Sequence, residues 1–445
     1  MHLVIIGNGI AGITAARFIR KISDHDITVI SAETEHFFSR TALMYVYMGH
    51  MRYEDIKPYE DWFWKKNKIN LLRDYVEKID FDAKNLHLSN SGTLSYDKLL
   101  IATGSTSNKF GWKGQDLKGV SGLYSYQDLE NMEAFSTDLK RAVIVGGGLI
   151  GIEMAEMFQS RHIPVTLLVR EKSYWNSVLP PEESEMVNRH IREHGFDLQL
   201  GEELQEIIDD GTGKASAVIT KSGKRIECGY VGLTAGVSPS VNFLKDSSLH
   251  IEKGIQVNDF LETNMPDVYA AGDCMQVLNP KPGRKPIEAV WYVGRISGEV
   301  AAYNMCGKRV AYHPGIWFNS AKFLDIEYQI YGEMPVELKE NQAVIYWEHS
   351  DGKKSIRLMY DKGSGQILGF NLMGVRYRQE VCEKWIAKKA HIEEVLHNLG
   401  IANFDPEFYD EYEKEVVQLY NQQSGKNLNL KKKRGLAGAL QFLKH

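Results

Sequence analysis

Two stretches of the chain share one order of apolar runs, a glycine-rich turn and a helical pattern. The first begins with the apolar run from His2 to Gly7, passes through GNGIAG and ITAARFIRKI, and ends in ITVIS, from Ile27 to Ser31. The second opens at Arg141 with AVIVGGGLIGIEMAEMF and ends in VTLLV, from Val165 to Val169. Short continuous apolar runs are typical of buried strands in parallel sheets. The pattern therefore predicts two strand–turn–helix–strand units.

Outside these two units, the arrangement of apolar and polar residues predicts further strands and helices. Residues from Leu99 to Ala102 form another short apolar run, and VYAAGD, from Val268 to Asp273, predicts a buried strand that ends at a polar turn. After about Pro314, alternating runs such as IEYQIYG and AVIYWEH indicate antiparallel strands, and helices are predicted over 376–390 and 406–420. These elements predict an α/β fold with two Rossmann-like domains and a C-terminal α+β domain.

Composition narrows the class of protein. A chain of 445 residues is too long to fold around a single hydrophobic core, so two or three domains are expected. The net charge of -5 argues against nucleic-acid binding, and no apolar run approaches the roughly 20 residues that span a bilayer. The predicted strand at residues 2–7 leaves no room for a signal peptide, so we expect a cytoplasmic protein. The four cysteines form no Cys-x-x-Cys pair or zinc-like cluster, and we expect no metal site.

Each unit carries the pattern G-x-G-x-x-G between its strand and its helix. The first glycine permits a tight turn, the second lets the backbone approach a pyrophosphate, and the third allows close packing of helix on strand. The helix N-terminus then offers N–H groups to the anion. The glycines are Gly7, Gly9 and Gly12 in the first unit and Gly146, Gly148 and Gly151 in the second. Two dinucleotide sites are therefore expected.

The residues that follow the second strand of each unit indicate the ribose that each unit binds. Glu33, two residues past the first unit's strand, is expected to bond unphosphorylated ribose hydroxyls. Arg170, with Lys172 nearby, suits a ribose 2′-phosphate and favours NADPH. Glu171 could instead serve NADH, and Arg170 could be a solvated surface charge.

Four motifs resemble those of the two-dinucleotide-binding-domain flavoproteins, the FAD-dependent pyridine nucleotide-disulfide oxidoreductase superfamily. They are GNGIAG, YDKLLIATGS, VGGGLIGIE and TNMPDVYAAGDC, and they span roughly residues 1 to 310 in the family's order. The resemblance implies a discontinuous FAD domain (1–110 and 245–313), an NAD(P) domain (111–244) and a C-terminal interface domain (314–445).

The resemblance also implies the residues of each site. Asp273 would accept a hydrogen bond from the ribityl chain of FAD, the backbone of Val76 would meet the adenine, and Glu153 would lie near the nicotinamide. The implied FAD residues are Gly7, Gly9, Ile10, Ala11, Gly12, Glu33, Arg40, Val76, Ala102, Thr103, Gly104, Gly272, Asp273, Glu288 and Trp291. The implied NAD(P) residues are Gly146, Gly148, Leu149, Ile150, Gly151, Glu153, Arg170, Lys172 and Gly236.

A redox cysteine is missing from the early part of the chain. Disulfide-reducing relatives carry one over the flavin, whereas this chain has no cysteine before Cys228. The resemblance is therefore to the ferredoxin- and rubredoxin-reductase branch, an NAD(P)H oxidoreductase that passes electrons from FAD to an iron–sulfur protein, a rubredoxin or a quinone. Ferredoxin reductases commonly carry a lysine within this early stretch, paired with the acid matched to Glu153, whereas this chain offers Tyr45 nearby instead.

Two other functions remain open. The tail KKKRGLAGALQFL from Lys431 would suit a quinone reductase at a membrane surface, although a solvated tail is the simpler interpretation. A redox-responsive binding protein, similar to relatives of apoptosis-inducing factor, is the second alternative. A homodimer through the C-terminal domain is implied by the resemblance only.

Overall fold

The computed structural model describes residues 1–405 and 410–431. The start of the helix expected over 406–420 and the basic tail beyond Lys431 lie outside the described residues. The chain forms two compact units: Met1–Arg170 with Gly201–Pro314, and Glu171–Leu200 with the residues from Gly315 onward. The division into FAD, NAD(P) and interface domains stays a prediction.

The first unit contains a five-stranded parallel sheet in the order β19-β7-β1-β2-β3. Its strands are β1 (His2–Ile6), β2 (Asp26–Ser31), β3 (Ile69–Arg73), β7 (Lys98–Ile101) and β19 (Val268–Ala270). The apolar runs noted in the sequence form four of the five, and their side chains are almost all buried, as expected for a covered parallel sheet. The predicted α/β architecture is confirmed here.

A second group of parallel strands lies in the same unit, in the order β11-β10-β16-β9. These strands are β9 (Val120–Ser121), β10 (Ala142–Val145), β11 (Val165–Val169) and β16 (Tyr230–Leu233). The second predicted strand–turn–helix–strand unit is therefore present.

Smaller sheets complete the first unit. Antiparallel ones are formed by β4 (Val76–Asp80), β5 (Asn85–Leu88) and β6 (Gly92–Ser95), by β13 (Leu204–Asp209), β14 (Ala215–Thr220) and β15 (Arg225–Glu227), and by β8 (Ser105–Ser107) with β17 (Val237–Pro239). A parallel pair is formed by β18 (Ile255–Val257) and β20 (Met275–Val277).

Helices cover the sheets of the first unit. They are α1 (Ile10–Ile22), α2 (Leu43–Tyr47), α3 (Asp61–Lys66), α4 (Tyr126–Ser136), α5 (Leu149–Ser160) and α7 (Trp291–Met305). Helix α7 packs closely on α1, since a Cβ placed on Gly298 would lie 2.2 Å from the carbonyl oxygen of Ala11. This contact holds the start of α1 in place beside the end of β1.

The second unit is built on a five-stranded antiparallel sheet in the order β21-β22-β25-β24-β23. The strands are β21 (Phe318–Phe323), β22 (Ile326–Gly332), β23 (Gln342–Glu348), β24 (Ser355–Asp361) and β25 (Ile367–Met373). They confirm the antiparallel strands expected from IEYQIYG and AVIYWEH. The unit also contains α6 (Pro181–Glu193), β12 (Asp197–Leu200), α8 (Gln379–Ala387), α9 (Ile392–His397) and α10 (Glu413–Ser424).

The helix bounds differ from those expected in the C-terminal part. The helix expected over 376–390 ends at Ala387, because Lys389 takes a left-handed conformation with φ of 54°. Helix α10 (Glu413–Ser424) continues past the expected end at residue 420. Within the described residues, no helix is long and apolar enough to cross a membrane.

Candidate functional site

A cavity of about 560 Å³ lies in the first unit, beside the carboxyl ends of β1, β2, β7 and β19. This is where open α/β sheets bind ligands. The lining residues that the sequence had singled out are Gly7, Gly9, Ile10, Ala11, Glu33, Arg40, Val76, Ala102, Thr103, Gly104, Ile150, Glu153, Gly272, Asp273 and Trp291. The tertiary structure thus gathers residues spread over nearly 300 positions of the chain around one space.

The first glycine loop has the shape of a phosphate cradle. A Cβ on Gly7 would lie 2.1 Å from the carbonyl oxygen of Ala102, and one on Gly12 would lie 1.9 Å from the carbonyl oxygen of Gly7. Gly9, the residue before α1, has no protein atom within 4 Å of its Cβ position. The start of α1 therefore faces open space with N–H groups that have no partner within the helix, as an anion requires. This loop fits the pyrophosphate of FAD.

Glu33 and Arg40 form an ion pair in the cavity wall. The guanidinium donates to both carboxylate oxygens of Glu33, at 2.8 and 2.6 Å, and the backbone N–H of Tyr126 donates to the same carboxylate at 2.8 Å. The Arg40 guanidinium also lies 4.6 Å from the ring centroid of Tyr124. Burial lowers the pKa of Arg40, but the hydrogen bonds and charge of Glu33, together with Tyr124 and Asp273, outweigh burial and leave that pKa raised. Both side chains are thus held before any ligand arrives, a pairing that the sequence did not reveal.

Asp273 lies on the turn that follows β19, with its carboxylate in a small hydrogen-bond network. The Tyr124 hydroxyl donates to its Oδ2 at 3.0 Å and the Ser105 hydroxyl donates to the same oxygen at 3.2 Å. Burial raises the pKa of the Asp273 carboxyl above its ordinary value of 3.8, and these two hydrogen bonds offset part of the rise. The second carboxylate oxygen remains as an acceptor for a ligand hydroxyl.

Tyr124 is the site residue that the sequence analysis missed. Its hydroxyl joins Asp273 to the backbone N–H of Ser105, from which it accepts a hydrogen bond at 2.9 Å. Burial raises the pKa of Tyr124, so this hydroxyl stays protonated and keeps donating at neutral pH. Nothing in the surrounding SGLYSYQD marks this tyrosine, because its partners lie 19 and 149 positions away.

The second glycine loop resembles the first in its geometry. Gly146 has a φ of 128°, and its Cβ position lies 2.5 Å from the carbonyl oxygen of Thr234. Gly148 precedes α5, which contains Leu149, Ile150, Gly151 and Glu153. Ile150 and Glu153 line the same cavity as the first loop.

The other residues expected at the nicotinamide nucleotide follow strands β11 and β16 in the chain. Gly236, with a φ of 88°, lies between β16 and β17. Arg170 directly follows β11 and is exposed, and the side chain of Lys172 is exposed as well.

Glu288, which the resemblance implied as an FAD residue, is not among the residues that line the large cavity. It lines a separate cavity of about 20 Å³ and accepts two hydrogen bonds from Arg284, at 2.8 and 2.5 Å. Both side chains of this pair are buried. The neighbouring Trp291 does line the large cavity, and it is 40% exposed.

The stretch that carries a redox cysteine in disulfide-reducing relatives contributes other side chains to the cavity. Thr41, Leu43 and Met44 line it, and among the described residues that line it there is no cysteine. Cys274, next to Asp273 in sequence, is fully buried, and burial raises its thiol pKa to about 11. The described lining of this cavity therefore offers no thiolate for disulfide chemistry.

Known proteins match this chain in sequence. The model of the family described as "Pyridine nucleotide-disulphide oxidoreductase" matches residues 1–294. An NADH oxidase from Methanocaldococcus jannaschii is 28% identical over 423 residues, which cover 89% of this chain and 93% of that protein. A nitrite reductase [NAD(P)H] from Bacillus subtilis is 28% identical over 88% of this chain, but the chain spans only about half (48%) of its length.

A rubredoxin-linked relative matches in both sequence and fold. The NADH-rubredoxin oxidoreductase of Clostridium acetobutylicum is 28% identical over 311 residues, 70% of this chain and 76% of that protein. A crystal structure of NADH:rubredoxin oxidoreductase from this organism superposes with a TM-score of 0.69 at 22% identity, covering 89% of this chain and 98% of that one.

Proposed function

The chain belongs to the pyridine nucleotide-disulphide oxidoreductase family, and we propose that its two glycine loops bind FAD and NAD(P)H at the one large cavity. It is an FAD-dependent NAD(P)H oxidoreductase that passes electrons to an external acceptor. The observation that carries the proposal is that Ile150 and Glu153, from the second loop's helix, line the cavity formed by the first loop and Asp273. A nicotinamide bound at the start of α5 would therefore reach the ligand bound at the start of α1.

The residues of the first loop would hold the FAD pyrophosphate. The N–H groups at the start of α1 supply the donors, and Gly9 leaves the space that the phosphates occupy. Asp273 would accept a hydrogen bond from a ribityl hydroxyl, with Tyr124 and Ser105 fixing the direction of the carboxylate. When bound, FAD supplies the acceptor for a hydride from the nicotinamide and can release electrons singly.

The rest of the cavity wall would orient the two rings and exclude water. Leu43 and Met44 present apolar side chains to the cavity, and Trp291 adds an indole ring at the start of α7. Excluding water strengthens the electrostatic interactions that the fixed dipoles of the site make, and it prevents loss of electrons to side reactions. Glu153 would border the nicotinamide as a positioning residue. No step requires a cysteine.

For the nicotinamide nucleotide we keep the preference for NADPH, with NADH as the alternative. An arginine directly after β11 suits a 2′-phosphate, whereas the relatives from M. jannaschii and C. acetobutylicum are named for NADH. If Arg170 binds the phosphate, Arg170→Ala should raise the KM for NADPH about tenfold and leave the KM for NADH unchanged. Lys253→Ala, which removes an exposed cation elsewhere in the first unit, is the matched control. Equal KM changes for both nucleotides would reject the preference for NADPH.

The acceptor we propose is an iron–sulfur protein or a rubredoxin, because the relative from C. acetobutylicum is named for rubredoxin and no cysteine among the described cavity residues provides a disulfide route. A quinone is the alternative, and dioxygen is a further candidate because one relative is named an oxidase. Reduced enzyme prepared without oxygen should be mixed with each acceptor in turn. Rapid reoxidation by rubredoxin or ferredoxin and slow reoxidation by quinone and dioxygen would support the proposal, and the reverse order would overturn it.

The first experiment is to reduce the purified flavoprotein anaerobically in a stopped-flow instrument. A flavin spectrum that bleaches quickly with NADH or NADPH would support the shared cavity as the site of hydride transfer. A protein that binds no flavin, or whose flavin stays oxidised with both nucleotides, would overturn it. A long-lived reduced complex that no acceptor reoxidises would favour a redox-responsive binding protein instead.

A further inference from the structure

Two histidines and an aspartate lie together in the second unit, in a part of the chain that the proposed reaction does not use. His190 lies on α6 and His194 follows one turn later, at the end of that helix. Asp325 lies in the turn between β21 and β22. His190 Nε2 is hydrogen-bonded to Asp325 Oδ1, and His194 Nε2 lies 3.4 Å from the same oxygen. One ligand atom from each residue lies within 4.8 Å of the others.

The orientation of the two imidazoles suits metal binding. The Nδ1 of His194 lies 3.0 Å from the backbone carbonyl oxygen of His190, so this nitrogen carries the proton and donates it. The Nε2 of His194 faces Asp325 Oδ1 at 3.4 Å, so a proton or a metal cation can lie between these two atoms. A backbone carbonyl that fixes the tautomer in this way is a common partner of metal-binding histidines.

We propose that His190, His194 and Asp325 bind one divalent transition-metal cation, of which Zn²⁺ is the expected member. Histidines four positions apart on a helix place two nitrogens on one face, and a carboxylate from a neighbouring turn supplies the third ligand. Imidazole nitrogens favour zinc and its neighbours over calcium and magnesium, which prefer oxygen. A water would complete a four-coordinate site.

Only small movements are needed to admit the ion. Zinc ligands lie about 2.0–2.2 Å from the metal, so the ligand atoms must be about 3.4 Å apart. The hydrogen bond between His190 and Asp325 must therefore lengthen to this separation. The Asp325 side chain is 60% exposed and lies in a turn, so it can move, whereas His190 is almost fully buried and fixed.

The bound cation would tie α6 to the sheet of the second unit. Other contacts already join these elements: Arg357 on β24 pairs with Glu183 on α6, at 2.7 Å, in a fully buried position. Lys353 weakens the proposed site, since its Nζ lies 4.0 Å from Asp325 Oδ2 and competes for the carboxylate. The site is therefore expected to bind reversibly, in response to the available zinc.

The test is equilibrium dialysis of the tag-free flavoprotein against chelator-buffered Zn²⁺, with the bound zinc measured by mass spectrometry. The wild type should take up one zinc per chain. His194→Ala and Asp325→Asn should each weaken binding at least about tenfold. Lys353→Met should strengthen it, because a competing positive charge is removed.

A matched control is His349→Ala, which removes a histidine paired with an acid, Asp351, at 3.0 Å, outside the proposed trio. This variant should bind zinc as the wild type does. Zinc should also raise the melting temperature of the wild type and not that of His194→Ala. Circular dichroism and the flavin spectrum show whether each variant folds and keeps its cofactor.

Two results would overturn the proposal. One is a wild type that takes up no zinc at a free concentration of about 100 μM, where weak surface sites already fill. The other is equal zinc uptake by the wild type, His194→Ala and Asp325→Asn. Neither result bears on FAD binding, so the proposed function is tested separately.

Discussion

Replacing Gly12 with alanine tests whether the fold of the first glycine loop depends on close packing. Gly12 lies inside α1, where alanine is the better helix former by about 1 kcal/mol, so helix propensity alone predicts a more stable protein. The tertiary contacts predict the opposite. The new Cβ would lie 1.9 Å from the Gly7 carbonyl oxygen and 3.1 Å from Ile5 Cγ2.

The size of the effect follows from what must move. Carbon–oxygen contacts are comfortable near about 3.5 Å, so α1 and the end of β1 must separate by roughly 1.5 Å. A backbone atom, rather than a flexible side chain, has to give way. Overpacking of this kind costs about 1–3 kcal/mol, and we expect the larger part of that range for Gly12→Ala even after the gain in helix propensity. The melting temperature should fall by several degrees, at about 2–4 °C per kcal/mol.

Gly9→Ala is the matched control, because it adds the same methyl group to the same loop. Gly9 has φ and ψ of -71° and -176°, which alanine adopts readily, and no protein atom lies within 4 Å of the new Cβ. The apoprotein should therefore keep its stability to within about 1 kcal/mol. The methyl group would occupy the place proposed for the pyrophosphate, so FAD should bind at least about tenfold more weakly.

The assay combines thermal unfolding of the FAD-free proteins, followed by circular dichroism, with FAD titration followed by flavin fluorescence. The expected pattern is a less stable Gly12→Ala apoprotein and a stable Gly9→Ala apoprotein that binds FAD poorly. A Gly12→Ala apoprotein as stable as the wild type would refute the packing reasoning. Wild-type FAD affinity in Gly9→Ala would refute the loop as the phosphate site.

Three further predictions concern buried polar groups. Burial raises the pKa of Asp273, so ionisation of this carboxyl destabilises the apoprotein as the pH rises above the ordinary value of 3.8. Asp273→Asn should therefore raise the melting temperature at pH 7 and not at pH 3, and it should weaken FAD binding. Equal shifts of the melting temperature at both pH values would contradict this. Tyr124→Phe removes the hydroxyl that bonds Asp273 and should weaken FAD binding roughly fivefold in the same titration, whereas unchanged affinity would exclude a positioning role. Arg357→Met leaves Glu183 buried without its charge partner and should lower the free energy of unfolding by about 3–5 kcal/mol in urea titrations. For Arg357→Met, a loss below about 1 kcal/mol in the free energy of unfolding is what an exposed ion pair would give. Such a result would show that the pair of Arg357 and Glu183 contributes little to stability.

Much of the fold could be predicted because its determinants are local. The apolar runs at 2–7, 27–31, 141–145 and 165–169 became buried parallel strands within a residue or two of the expected bounds. The glycines of both loops follow their strands and precede their helices, as the pattern required. The C-terminal strands showed the alternation typical of a half-buried antiparallel sheet.

Other elements depended on context that a local pattern does not contain. The helix expected over 376–390 stops at Ala387, where the chain turns through Lys389 in a left-handed conformation. Helix α6 was not expected, because its apolar residues are few and its buried face carries charged groups such as Glu183. In its buried position that carboxylate is neutralised by Arg357, 174 positions away, and accepts a further hydrogen bond from Asn371.

The sequence by itself determined the class of protein: two strand–glycine loop–helix units, the motifs of a flavoprotein oxidoreductase, and the lack of an early redox cysteine. These features are set by residues a few positions apart, so they are legible without a fold. The tertiary structure alone decided which side chains meet. It paired Glu33 with Arg40, placed Tyr124 on Asp273, moved Glu288 into a buried pair with Arg284, and brought Asp325 to His190 and His194. Such contacts depend on how strands and helices pack, and packing joins positions that no spacing in the chain connects.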